Sequence, residues 1–206
     1  MRFLESIIQR SFEEIALGCV GIVEIFPIVH IKKTQGGFID SVRRAAKEAG
    51  ERGIMILCIH ADADDISDSR AFDNKINPAF AAVWQHENSG LCKNLVAVVP
   101  VQMSEAWMLS DKALLKYEIG TDKTDSELGL DRYPEDYSDP KNTIAEAINI
   151  AESDLTRRKR GKLKVTDLYS IIGQKVSLVK LDALPSYSKF NNAVREAFKK
   201  MNLLHE

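Results

Sequence analysis

The sequence IMILCIHADADD, residues 54–65, places six consecutive apolar residues before three aspartates. A short apolar run that follows a glycine and ends in acids predicts a strand buried on both faces, as in a parallel sheet covered by helices. The aspartates then lie at the carboxyl end of the strand, which is the edge where open α/β sheets bind ligands. We therefore expect this strand to form the centre of the fold and to carry the functional site at its end.

The three aspartates, Asp62, Asp64 and Asp65, are the first candidate metal ligands. Residues two apart on a strand point to the same side with Cα atoms roughly 6.6 Å apart, so Asp62 and Asp64 can face one ion. Capping of the following helix is the alternative role for these acids. Three carboxylates so close together repel one another unless they are solvated or neutralised, and hard divalent cations bind such oxygen clusters. The sequence therefore predicts a Mg²⁺ or Mn²⁺ site.

Composition sets broad limits on the class of protein. The chain has 206 residues, of which 45% are hydrophobic, so it fits one large domain or a domain with an appended helical part. Its 28 basic and 30 acidic residues nearly cancel, so net charge neither favours nor excludes a nucleic-acid partner. No apolar stretch approaches the ~20 residues that a membrane span requires.

The three cysteines, Cys19, Cys58 and Cys92, are an odd number without C-x-x-C spacing. Two of them lie in apolar, strand-like runs, where a reduced thiol packs as a small hydrophobic group. We therefore expect a cytoplasmic protein.

The first part of the chain alternates between helical and strand-like patterns. An apolar helical stripe over residues 3–15 is followed by a strand-like stretch, 20–31, in which Pro27 predicts a bulge or an edge position. A second helical stripe, 38–49, precedes the central strand. This order predicts a parallel sheet with crossover helices.

A second unbroken apolar run, residues 95–101, predicts another buried strand, after which Ser104 caps a helix. Glu105 lies in the first turn of that helix, just past the edge that also displays Asp62 and Asp64. Two roles stay open for Glu105: an exposed acid that the helix dipole stabilises, or a further ligand of the same metal, because the carboxyl ends of parallel strands meet at one edge.

The last part of the chain combines an acidic, turn-rich stretch, 121–139, with helical patterns after it. Between two of those helices, residues 157–164 contain six basic residues in eight. Such a run is commonly a solvated linker, but its positive potential also suits a phosphate backbone. The candidate nucleic-acid contacts in this run are Arg157, Arg158, Lys159 and Arg160.

Four features taken together resemble a bacterial family of uncharacterised proteins with a Toprim-like fold, and the likeness spans almost the whole chain. They are Asp62-x-Asp64-Asp65, Glu105-x-Trp107-x-Leu109-x-Asp111, Asp139-Pro140-Lys141, and the segment 169–190 with Lys175 and Leu184-Pro185-Ser186-Tyr187. The resemblance implies an α/β fold with a Rossmann-like parallel sheet flanked by helices over residues 1–118. An acidic loop and a helical carboxyl-terminal region, 119–206, would pack on it.

Toprim domains occur in topoisomerases, primases and phage-defence nucleases. Their pattern pairs a glutamate after the first strand with a D-x-D after a later strand; the acids hold magnesium, and the glutamate serves in acid–base chemistry. Asp62 and Asp64 match the D-x-D, whereas the chain starts too late to contain the glutamate. Either an upstream strand is missing here or the protein is a shortened relative that has lost a catalytic group, and Glu105 is then the substitute. The resemblance also makes Lys141 and Lys175 candidate phosphate contacts, with exposed lysines as the alternative.

These expectations lead to two hypotheses of different classes. The first is a nuclease, a hydrolase that depends on Mg²⁺ or Mn²⁺ and cuts DNA or RNA, with a role in phage defence. The second is a non-catalytic interaction or regulatory subunit that partners an ATPase, which the missing glutamate favours and the acidic cluster opposes. A homodimer is compatible with either hypothesis.

Overall fold

The computed structural model describes residues 2–32, 35–87, 90–153, 161 and 163–205. In this part of the chain the fold is α/β and mostly helical, with a small parallel sheet of two strands. Strand β1 spans Leu57–His60 and β2 spans Leu95–Val98, with Leu57 opposite Leu95 and His60 opposite Val98. The two apolar runs therefore form neighbouring parallel strands, as predicted.

Helices make up most of the remaining described chain. In order, they are α1 (Arg2–Ala16), α2 (Phe38–Glu51), α3 (Ser69–Ala71), α4 (Asn77–Trp84), α5 (Glu105–Met108), α6 (Lys112–Ile119), α7 (Pro140–Glu152), α8 (Val165–Lys175), α9 (Leu178–Asp182) and α10 (Pro185–Lys200). A π-helical turn, Phe72–Ile76, joins α3 to α4, and a 3-10 turn, Pro134–Asp136, precedes α7. Within the ranges described, none of these helices combines the length and apolar character needed to cross a membrane.

The sheet is buried on both faces, which confirms the prediction from its unbroken apolar runs. Leu57 and Ile59 of β1 pack into a smaller core with α2 and α4. Val96 and Val98 of β2 pack into a larger core on the opposite face, which α1, α8 and α10 also line. Alternate side chains of each strand therefore contribute to different cores, as the two-residue period of a strand requires.

The larger core joins the two parts of the chain that the sequence separated at residue 118. Trp107 of α5 is fully buried, and its Nε1 donates a hydrogen bond of 2.7 Å to Ser186 Oγ at the start of α10. Its ring also contacts the rings of Tyr187 and Phe190. The aromatic residues of the last helix thus fix the position of the segment that follows β2.

The prediction of a strand at residues 20–31 is wrong, because the structure has an irregular extended segment there. Val23 and Ile25 pack against the larger core, whereas Ile22 and Phe26 are exposed by 103% and 72%. Gly21 has a φ of +83°, which interrupts an extended strand. Residues 21–32 make no backbone–backbone hydrogen bond to another described residue, so the apolar pattern reflects one-sided packing without sheet pairing.

Candidate active-site cleft

A cleft of about 310 Å³ lies at the carboxyl ends of β1 and β2, the edge where the sequence predicted a site. The segments that follow the two strands form one side of it, and α1, α7 and α8 complete it. The described residues that line it are Phe3, Leu4, His60, Asp62, Met103, Ser104, Glu105, Lys141 and Tyr169. The structure therefore brings three of the predicted site residues, Asp62, Glu105 and Lys141, to one cleft.

His60 and Asp62 form a close pair in the cleft. They lie two residues apart at the end of β1, and 3.3 Å separates His60 Nε2 from Asp62 Oδ1. The two atoms are not aligned for a hydrogen bond, both are shielded from solvent, and neither has a hydrogen-bond partner among the described residues. Buried polar atoms normally have partners, so these two atoms are unsatisfied, whereas the Asp62 side chain as a whole is 36% exposed and is accessible to a ligand in the cleft.

Glu105 is held in the cleft by two hydroxyl groups. Its side chain is buried, with 6% of the residue exposed, so it is not the exposed first-turn acid of the simpler alternative. The Tyr169 hydroxyl donates a hydrogen bond to Glu105 Oε1, and Ser104 Oγ donates one of 3.1 Å to Oε2. Ser104 precedes α5 as predicted, but its hydroxyl bonds to Glu105 and makes no capping hydrogen bond to the helix backbone.

Tyr169 lies close to both acids of the cleft. Burial raises the pKa of its phenol, and so do the hydrogen bond to Glu105 and the negative charges of Glu105 and Asp62. The phenol therefore keeps its proton at neutral pH and acts as a hydrogen-bond donor. Both carboxylates affect this one hydroxyl, which indicates that they face a common space.

Lys141 brings a positive charge to the rim of the cleft. It lies in the first turn of α7, after Asp139, whose Oδ1 accepts a hydrogen bond of 2.9 Å from Asn142 N, and after Pro140. The Asp139-Pro140-Lys141 motif therefore starts a helix and directs a lysine toward the cleft. Lys141 is exposed and forms no ion pair with another residue in the ranges described.

Asp64 and Asp65 do not line the cleft. Strand β1 ends at His60, and Asp64 has a φ of +52°, so the alternation that would turn Asp62 and Asp64 to one side does not apply. Asp64 is exposed, and its N–H donates a hydrogen bond of 2.9 Å to the Gln102 carbonyl. Asp65 instead accepts from its neighbour Ile66 N at 2.7 Å and lies 3.1 Å from Arg70 Nη1.

Lys175, the other lysine predicted to contact phosphate, does not line the cleft. Lys175 Nζ lies 2.9 Å from Glu118 Oε1 and over the ring of Tyr117, at the far end of α8. The basic residues Arg157, Arg158, Lys159 and Arg160 lie outside the described residues. Their role in binding nucleic acid stays a prediction.

Two residues of the cleft, His60 and Tyr169, were not among the site residues predicted from the sequence. The two-residue period that pointed to Asp62 also applies to His60, so its place in the cleft had a sequence signal. Tyr169 had none, because its contact with Glu105 joins residues 64 positions apart. Such a contact follows only from the packing of α8.

The donor atoms of the cleft fit a hard divalent cation in part. Across the described ranges, no group of three or more histidine, cysteine, aspartate and glutamate residues is close enough to hold a metal by itself. Mg²⁺, however, is commonly bound by one or two carboxylates together with waters and substrate phosphates. Asp62, with its unpartnered Oδ1, and Glu105 supply two carboxylates of this kind.

Comparisons with known proteins leave the family open. The chain has no match among protein-family models, curated proteins or solved structures. The resemblance to the Toprim-like family therefore stays a prediction.

Proposed function

We propose that this protein is a metal-dependent phosphodiesterase that cuts nucleic acid, with the cleft as its active site. The observation that carries the proposal is that two acidic residues, Asp62 and Glu105, and a basic residue, Lys141, line the same cleft. The oxygens of a phosphodiester are negatively charged during cleavage. A metal ion held by the two acids and the positive charge of a lysine can together neutralise them.

Each residue has a separate task in this proposal. Asp62 and Glu105 would hold Mg²⁺ or Mn²⁺, which supplies charge stabilisation at the phosphate oxygens and a more acidic water. Lys141 would bind a phosphate oxygen. His60 Nε2 is shielded from solvent and lies 3.3 Å from Asp62 Oδ1, so His60 would support the position and charge of the Asp62 carboxylate.

The proposal extends to the type of sheet, the biological role and the cellular location. A parallel strand pair with helices on both faces, and an acid soon after the first strand, supports a Toprim-like, Rossmann-like sheet. The nuclease role in phage defence rests on the resemblance of the sequence motifs. We also propose a cytoplasmic location, because Cys19, Cys58 and Cys92 are all unpaired.

The test is cleavage of supercoiled plasmid, single-stranded DNA and RNA in the presence of Mn²⁺ or Mg²⁺. Asp62→Asn and Glu105→Gln should each lower the rate by about 100-fold or more, since each removes a charge on which the metal depends. Asp64→Asn is the matched control from the same D-x-D motif, and it should keep a rate within a few fold of the wild type.

Two results would contradict this assignment. Cleavage that persists in both the Asp62 and Glu105 variants would come from another site or a contaminant. Loss of cleavage in Asp64→Asn alone would indicate that the metal binds at the exposed aspartates and not in the cleft.

The exposed apolar segment favours a second function, an interaction subunit that partners an ATPase or a second copy of the chain. Large apolar side chains between α1 and α2 face solvent: Leu17, Val20, Ile22, Phe26 and Val29. Large apolar patches that face solvent mark protein-binding sites, and these side chains lie within one stretch of the chain. Two results together would favour this function: absence of cleavage with every substrate, and a complex that Ile22→Lys abolishes but Val179→Lys, a control at another exposed apolar position, preserves.

A further inference from the structure

Among the described residues, helix α8 supplies the only side-chain hydrogen bond to the Glu105 carboxylate from outside the β2–α5 segment. Tyr169 donates to Oε1, while the other donor, Ser104, is the chain neighbour of Glu105. Each carboxylate oxygen therefore accepts one hydrogen bond and keeps a free lone pair for a ligand. The orientation of Glu105 then depends on where α8 lies.

The position of α8 is fixed by close packing against α1. Gly173 lies one helical turn after Tyr169, on the same face of α8. A Cβ at Gly173 would lie 2.9 Å from the Phe3 carbonyl oxygen, and Arg10 Nη1 donates a hydrogen bond of 3.0 Å to the Gly173 carbonyl. The glycine allows the two helices to approach closely enough for the Tyr169 hydroxyl to reach Glu105.

We propose that Tyr169 is a positioning residue that holds the Glu105 carboxylate in the orientation needed to bind a divalent cation in the cleft. This inference rests on the proposed function only in assuming that the cleft binds such a cation. Partners that hydrogen-bond to a metal-binding carboxylate commonly contribute 10–100-fold to metal affinity. The phenol is suited to this task because its hydroxyl donates directly to Glu105 Oε1.

The experiment measures Mn²⁺ binding to the full chain by titration calorimetry and by the electron paramagnetic resonance signal of free Mn²⁺. Tyr169→Phe removes the hydroxyl and keeps the ring, and it should weaken Mn²⁺ binding at least about tenfold. Tyr187→Phe is the control: Tyr187 is also a hydrogen-bonded phenol, fully buried where Tyr169 is partly buried, and its partner is Ser11, away from the cleft. It should leave the Mn²⁺ affinity unchanged.

A second variant keeps the inference testable if Tyr169→Phe folds poorly. Ser104→Ala removes the other donor to Glu105, and it should weaken Mn²⁺ binding as well, with the melting temperature reported for every variant. Affinity within twofold of the wild type in both Tyr169→Phe and Ser104→Ala overturns the inference. An equal loss in Tyr187→Phe also overturns it, since the effect would then follow stability and not the position of Glu105.

The failure of this inference and that of the proposed function give different results. A wild-type protein that binds Mn²⁺ through Tyr169 but cleaves no nucleic acid supports the inference and contradicts the nuclease. A protein that cleaves, and whose Tyr169→Phe variant binds Mn²⁺ normally, contradicts the inference alone. A wild-type protein that binds no Mn²⁺ overturns the inference.

Discussion

Two helical glycines, Gly50 and Gly173, lie where neighbouring backbone leaves too little room for a side chain. A Cβ at Gly50 in α2 would lie 1.8 Å from the Gly90 carbonyl oxygen, and a Cβ at Gly173 in α8 would lie 2.9 Å from the Phe3 carbonyl oxygen. Replacing a helical glycine with alanine gains about 1 kcal/mol of helix propensity. Overpacking costs about 1–3 kcal/mol and occasionally more, so the size of each overlap decides the net effect.

The predicted order of stability follows from these overlaps. Gly173→Ala would place its Cβ slightly inside the closest approach that real Cβ atoms make to backbone, so α1 or α8 must move. It should lose about 1 kcal/mol of unfolding free energy, an overpacking cost of about 2 less the propensity gain. Gly50→Ala requires the backbone near Gly90 to move by more than 1 Å, and it should lose about 3 kcal/mol or more. Gly18→Ala is the control, because its nearest neighbour would be at an ordinary 3.5 Å, and it should change stability by less than about 0.5 kcal/mol.

Urea denaturation, followed by far-ultraviolet circular dichroism, measures these differences. A lower midpoint at an unchanged slope would report a loss of stability with the same two end states. The reasoning is refuted if Gly50→Ala is as stable as the Gly18→Ala control, because α2 would then not contact the chain at Gly90. It is also refuted if Gly173→Ala is the most damaging of the three.

Three further predictions concern buried polar groups. Burial raises the pKa of Glu135, so the stability that this group contributes is present below its unfolded pKa and is lost as the pH rises through its folded pKa. Glu135→Gln should therefore gain stability relative to the wild type as the pH rises above the ordinary pKa of glutamate, as measured by urea denaturation. Burial acts to raise the pKa of Asp111, but the hydrogen bonds that its carboxyl accepts, above all from Lys180, hold this pKa below the usual range. Lys180→Met should raise the pKa, as read from the carboxyl carbon shift in nuclear magnetic resonance. The Tyr187 hydroxyl lies 2.8 Å from Ser11 Oγ, so Tyr187→Phe should lose about 1 kcal/mol of unfolding free energy, and no change in urea would contradict the buried bond.

The sequence predicted best where a side chain's environment follows from its neighbours along the chain. Residues 54–59 have no polar side chain, so neither face of the strand suits contact with water. This predicts a strand covered on both sides. That is the position of β1. The same logic placed Asp62 and Glu105 at one edge, because parallel strands end together.

Prediction failed where the environment depends on distant segments. The apolar residues between Val20 and Ile31 have the composition of a strand, but a strand needs a partner, and composition does not supply one. The left-handed backbone at Asp64 is likewise invisible in the letters D-A-D-D, although aspartate tolerates it better than most residues. Lys175 was a candidate phosphate contact until the fold placed Glu118 beside it.

The short sheet between the two cores has a consequence for how the protein opens. The amide protons that β1 donates to β2 can reach solvent only when both cores loosen, since each strand contributes side chains to both. Deuterium uptake at these amides should therefore be the slowest in the described chain. Faster deuterium uptake in α2 than in α10 would show that the smaller core unfolds locally while the larger core stays folded.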